Sequence, residues 1–179
     1  EALPGARAAL ERALALAPDS ASAWEHQAML HALEGSAAQM LAALERAESL
    51  GGALGPYTLQ TAIAACHARA RVASDTDWAR IAALYDALAQ VMPSPVVGLN
   101  RAVAVGMAFG PAAGLEIADS LLEEPAMQGY HLLPSVRADL LAKLGRVEEA
   151  RAEWMRAAGL AGNAREKALL MARAARPIG

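Results

Sequence analysis

Cys66 and His67 stand side by side, the one place in the chain where a thiol nucleophile meets a base. Neighbouring side chains on a helix diverge by about 100°, so this pair cannot act on a shared atom. His26 and His31 are five residues apart, whereas a helix that grips one metal ion needs the i, i+4 spacing. Glu148-Glu149 opens a helical run and favours its N-terminal dipole, while Glu123-Glu124 reads as a solvated helix end. Asp75-Thr76-Asp77 precedes Trp78 and another helical run, where short polar side chains accept the orphan N–H groups of a helix start. Gly51, Gly52 and Gly55 lack the preceding strand and following lysine of a phosphate-binding loop. No catalytic residue, cofactor or metal is predicted, and the chain reads as a non-enzyme.

Charge narrows the partners. The formal net charge is −3 with acids and bases interleaved, and no aromatic-plus-basic surface exists for RNA or DNA. Arg69 and Arg71 read as helix-end charges complementing a C-terminal dipole. The expected partner is protein, with no direct nucleic acid and no membrane. The apolar stretch from Ala102 to Leu115 is broken at Gly110-Pro111 and falls short of the about 20 residues that span a bilayer. The single Cys66 has no disulfide partner in the chain and reads as a small apolar filler. That fits a reducing compartment, and nothing at the start resembles a signal peptide, so a cytoplasmic location is expected. A first residue of Glu1 rather than Met predicts a segment of something longer, or a processed chain.

The elements follow from composition and periodicity. Apolar residues make up 55 % of 179, rich in Ala and Leu, with aromatics at only 4 %, which predicts an all-α chain with an aliphatic core. One domain over 1–179 is expected at this length. Five quartets share one spacing: Ala6, Leu10, Ala13, Pro18; Met40, Leu44, Ala47, Gly52; Ile81, Tyr85, Leu88, Pro93; Ala113, Ile117, Ser120, Pro125; and Ala150, Trp154, Ala157, Gly162. Residues four and three apart share a helix face, small residues let two axes approach, and the Pro or Gly stops the helix. Successive quartets start 34, 41, 32 and 37 residues apart, which brackets the period of about 34 of a tetratricopeptide repeat. Trp24, Ala28, His31 and Gly35 resemble the first-helix half of that repeat, as do Ala138, Leu141 and Gly145.

The predicted architecture is therefore antiparallel helical hairpins stacked as a tetratricopeptide-like right-handed solenoid. Helices are expected at 3–17, 21–34, 36–50, 56–71, 76–92, 95–109, 111–124, 127–144, 147–161 and 164–175. Hairpins span 21–50, 56–92, 95–124 and 127–161, with 3–17 and 164–175 flanking them. Trp24, Leu44, Tyr85, Ile117 and Trp154 are expected in the core.

A more specific resemblance lies in five ordered blocks: GPYTLQTAIAACHARA at 55–70, DTDWARIAALYDAL at 75–88, PSPVVGLNRAVAV at 93–105, GYHLLPSVRADLLAKLGRVEEA at 129–150 and LAGNAREKALL at 160–170. They resemble the C-terminal extension of a group of bacterial extracytoplasmic-function (ECF) RNA polymerase sigma factors, a tetratricopeptide-like domain after the promoter-binding regions. Residues 1–50 match it less clearly, Gly35–Leu54 is a shorter connection than that family carries, and no helix-turn-helix with a basic recognition helix is present. The resemblance implies a regulatory, protein-binding appendage that contacts its own sigma regions, the polymerase core or another protein. The alternative is a free-standing adaptor holding a peptide in its concave groove. First helices would line that groove, which nominates Tyr57, Gln60, His67, Asn100, Arg101 and Arg137 as partner contacts. Asn100 and Arg101 could equally satisfy carbonyls of the Pro93-Ser94-Pro95 turn.

With no converging titratable cluster, chelator should leave the thermal midpoint of the purified chain unchanged. Stoichiometric zinc surviving dialysis would contradict this.

Overall fold

The computed structural model describes residues 2–34, 36–51, 55–70 and 72–175. Gly35, Gly52, Leu54 and Arg71 lie outside them. Among the described residues there are ten α-helices and no strand. They are α1 Ala2–Leu16, α2 Ala21–Leu33, α3 Ala37–Ser49, α4 Pro56–Arg69, α5 Trp78–Val91, α6 Pro95–Phe109, α7 Pro111–Ser120, α8 Leu132–Lys143, α9 Val147–Leu160 and α10 Ala164–Ala175. None is long and apolar enough to cross a membrane.

The predicted boundaries hold to within two residues except around the α7–α8 connection. There α7 stops at Ser120, because Leu121 N–H turns back onto Ala118 and Asp119 carbonyls, and Pro125–Met127 forms a short 3-10 turn. That turn drives Met127 into the core at 2 % exposure, and Gln128 Nε2 donates to Leu122 O at 2.8 Å to close the link. Helix starts and stops follow local chemistry. Ser94 Oγ accepts from Val96 N at the head of α6, with Pro95 in the first helical position, where a missing N–H costs nothing. Asp77 Oδ1 accepts from Arg80 N at 2.9 Å and caps α5. At the end of α8, Gly145 takes φ +73°, so that its N–H reaches Ala142 O and Arg146 N–H reaches Leu141 O. Only glycine enters that left-handed region without strain.

The chain forms two compact units, Glu1–Val91 and Met92–Gly179, divided just before the Pro93-Ser94-Pro95 turn. In the first unit, α2 pairs with α3 and α4 with α5, while α4 also touches α2 and α3. Met40, Leu44 and Ala47 are buried as their spacing predicts, and so are Ile81 and Leu88. Two expected core rings are only half-buried. Trp24 keeps its indole N–H on Pro18 O at 2.8 Å, which holds one edge of the ring at the surface. Tyr85 is half-buried, and burial raises its phenol above the usual value. The first quartet also departs from expectation. Helix α1 packs mainly on α2, so Leu10 is half-buried while Ala6 and Ala13 are exposed.

In the second unit α6 pairs with α7, α8 with α9, and α10 packs on α9. Trp154 is buried at 6 % exposure between the alanines Ala150 and Ala157, as predicted. The fourth quartet, however, is one residue out of phase. Gly114, Leu115 and Ala118 form the buried stripe, Ala113 and Ile117 are half-buried and Ser120 is exposed. Glycine causes the rotation, because α6 and α7 touch backbone to backbone. A Cβ added at Gly114 would lie 2.6 Å from Ala102 O and 2.7 Å from Gly106 Cα, and one at Gly106 would lie 2.7 Å from Leu140 Cδ2.

Two substitutions separate this close approach from helix propensity. Alanine is favoured over glycine in a helix by about 1 kcal/mol. Gly159→Ala, where a Cβ meets nothing within 4 Å, should therefore raise stability by roughly 0.5–1 kcal/mol in urea unfolding. Gly114→Ala should instead lower it by about 1–3 kcal/mol, since backbone atoms cannot swing aside. Equal shifts at both sites would contradict the close approach.

Candidate functional site

The predicted contact residues divide three ways. Tyr57, Gln60 and His67 lie on α4, and all are exposed. Tyr57 is 66 % accessible and stands at the mouth of a groove lined by Glu25, His26, Met29, Pro56 and Thr58, between α2 and the head of α4. His67 sets its ring edge-on to Trp78, centroids 5.3 Å apart and planes at 76°. Its neighbour Cys66 is buried at 4 % exposure, so thiol and imidazole face different surroundings, as the helical angle requires.

Asn100 is exposed on α6, while the turn before it is closed by Ser94, whose carbonyl also accepts Gly98 N–H at 2.9 Å. Arg101 is half-buried and already engaged.

Arg137 belongs to the scaffold. Its side chain is 15 % exposed, with Nε donating to Asp119 Oδ1 at 2.8 Å and Nη1 lying 2.5 Å from Glu153 Oε1. One guanidinium thus ties α8 to the second helices α7 and α9. Burial works against its charge, yet the bonds to Asp119 and Glu153 outweigh that and hold its pKa above the usual arginine value.

A second face escaped the sequence reading. On α6, Val96, Asn100, Val103 and Met107 follow one stripe, with Val96 and Met107 more than two-fifths exposed. On α8, Leu132, Val136, Asp139 and Lys143 repeat the same spacing. Between the two helices Val103, Met107, Val136, Asp139, Leu140 and Lys143 line a shallow groove. Lys143 Nζ approaches Met107 Sδ at 3.2 Å, and Asp139 is held by Arg173 of α10 at 3.1 Å. The signal was available: α6 is apolar nearly all round, and a helix with two apolar stripes has one to spare for something beyond its own core. Selecting only polar and aromatic side chains missed it.

Among the described residues no group of three or more His, Cys, Asp or Glu side chains could hold a metal ion. His131 Nε2 meets Glu166 Oε1 at 2.8 Å, and Asn163 Oδ1 accepts Glu166 N–H, so this cluster serves to start α10 and fasten it to the head of α8.

No family model matches the chain. An uncharacterized protein of Rhizobium meliloti (strain 1021) is 49 % identical over 116 residues, which is 65 % of this chain and 27 % of that protein. The chain thus matches about a quarter of the length of this curated relative. Solved structures with a similar fold include a thermophilic TPR (tetratricopeptide repeat) protein of Thermus thermophilus, at 19 % identity and TM-score 0.58, covering 97 % of this chain and 92 % of the other. YrrB, described as a TPR protein with an unusual peptide-binding site, matches at 11 % identity and TM-score 0.65 over 93 % and 81 %. The pilF protein of Pseudomonas aeruginosa matches at 19 % and 0.63 over 97 % and 75 %. The fold is tetratricopeptide-like.

Arg137→Ala should cost roughly 2–3 kcal/mol in urea unfolding, somewhat less than the about 3–5 kcal/mol of a fully buried pair, because Glu153 is left without its cation. Asn100→Ala should stay within about 0.5 kcal/mol. The reverse order would make Arg137 a surface residue and Asn100 a structural one.

Proposed function

We propose that residues 1–179 work as one non-catalytic repeat domain that regulates transcription through protein contacts, as the C-terminal extension of an ECF-type sigma factor in the cytoplasm. The observation that carries this reading is the set of five sequence blocks spread in order from Gly55 to Leu170. Three features support it. The tetratricopeptide-like fold is a scaffold that suits protein partners. Charged groups such as Arg137, Glu153, Asp139 and Arg173 are used to join helices, which leaves Tyr57, Gln60 and His67 exposed on α4 and the α6/α8 groove apolar apart from Lys143 and the Asp139 held by Arg173. In the Rhizobium meliloti relative the similar segment belongs to a much longer polypeptide, as an appendage would.

The contacts proposed are Tyr57, Gln60 and His67 on α4 and Asn100 on α6. Arg101 and Arg137 act by keeping their helices in place. The net charge is −3 with acids and bases interleaved, so affinity for DNA should not exceed the weak nonspecific range, about 10⁻⁴ M or looser.

The test is capture of core polymerase and of the sigma regions by the immobilised chain, paired with promoter-directed transcription by the parent sigma factor with and without this domain. Capture of either, weakened by Tyr57→Ala or Asn100→Ala, and a changed transcript yield are expected. Capture of neither, with transcription untouched, would overturn the sigma reading in favour of a free-standing peptide adaptor.

A further inference from the structure

The groove between α6 and α8 has a specific chemistry. Its floor is aliphatic and thioether: Val103, Met107, Val136 and Leu140. Its charged residues are Asp139 and Lys143, four apart on α8, a spacing at which an aspartate and a lysine ordinarily attract each other. Here they do not pair. Arg173 Nη1 reaches both oxygens of Asp139, at 3.1 and 3.4 Å, and neutralises it. Lys143 is left with the sulfur of Met107 at 3.2 Å, a weak acceptor for a full positive charge. Three nearby arginines differ, since Arg137, Arg146 and Arg173 each close on a carboxylate. Among the described residues no carboxylate bonds Lys143.

An ammonium held over an apolar floor beside an already neutralised aspartate is complementary to one arrangement. A ligand carboxylate would take the ammonium while an adjacent large aliphatic side chain covers Val103, Met107 and Val136. We infer that the α6/α8 groove binds a segment of a partner protein carrying an aspartate or glutamate next to a large aliphatic residue, with Lys143 as the specificity-determining cation. This rests on the protein-contact reading above and names the partner's chemistry. Asn100, further along the same α6 stripe, is placed to bond the backbone of such a segment.

Phage-displayed random heptapeptides panned on the full chain test it. Enriched sequences should share an acidic residue beside Leu, Ile, Val or Met. An acetylated, amidated peptide of the leading sequence should bind roughly fivefold more weakly to Lys143→Gln, and the same peptide with its acid changed to the amide should lose about as much on the unsubstituted chain. Val136→Asp should abolish binding, with circular dichroism melting showing that each variant is folded. Enriched peptides without an acid, or affinity indifferent to Lys143→Gln, would overturn this site and leave the protein-contact reading standing. No enrichment, together with failed capture of polymerase and sigma regions, would overturn both.

Discussion

Small side chains at helix crossings are the constraint on which the rest of this molecule depends. Among the described residues, the core side chains with no exposure at all are Ala28, Ala47, Ala102, Ala118, Ala138, Ala150, Ala157 and a single larger residue, Ile81. A chain with so few aromatic rings cannot fill wide gaps between helices, so axes must come close, and adhesion must come from many weak dispersion pairs. At Gly106 and Gly114 the approach reaches its limit, since one methyl group would collide with a packed leucine at the first and with backbone at the second. Larger residues such as Leu141, Leu133 and Trp154 then fill the space beside each crossing.

Close packing of this kind leaves charge to the edges. Arg7 grips Glu34 with two bonds of 2.7 Å, and that grip lowers the Glu34 carboxyl below the ordinary glutamate range. Arg46 reaches Asp19, Arg69 reaches Glu45 and Arg173 reaches Asp139, each joining a helix to another segment of its own unit. Such exposed pairs contribute little individually and act as alignment. Arg137 is the exception, because it and Glu153 are both largely buried, while Asp119 completes the cluster from a more open position. Much of the paired charge in the described residues is therefore structural, and the α6/α8 groove keeps an apolar floor with Lys143 beside it.

Much of this was legible in the sequence. Turn residues placed nearly every helix end, and the quartets at Met40, Ile81 and Ala150 found buried stripes. The misses have physical causes. Leu121 and Pro125 made a 3-10 connection where helical periodicity continued on paper. Gly114 rotated α7 by one residue, an effect visible only when its partner Gly106 is known to face it. Trp24 and Tyr85 were expected inside but are half-buried, Trp24 with its indole N–H on Pro18 O. For the site, position in the hairpin nominated Tyr57, Gln60, His67 and Asn100, and all four are exposed. It also nominated Arg137, and it missed that this guanidinium pairs with Asp119 and Glu153, carboxylates on other helices. Lys143 stood out only once Arg173 was seen to occupy Asp139.

On the proposed reading the domain offers its first helices to a partner and keeps its second helices for itself. Amide hydrogen exchange of the chain, alone and mixed with core polymerase and the sigma regions, measures that claim directly. Added protection is predicted along α4, α6 and α8, at Tyr57, Asn100 and Lys143 and their neighbours, with α7 and α9 unchanged. Protection confined to α7 and α9, or none with any of these proteins, would contradict it.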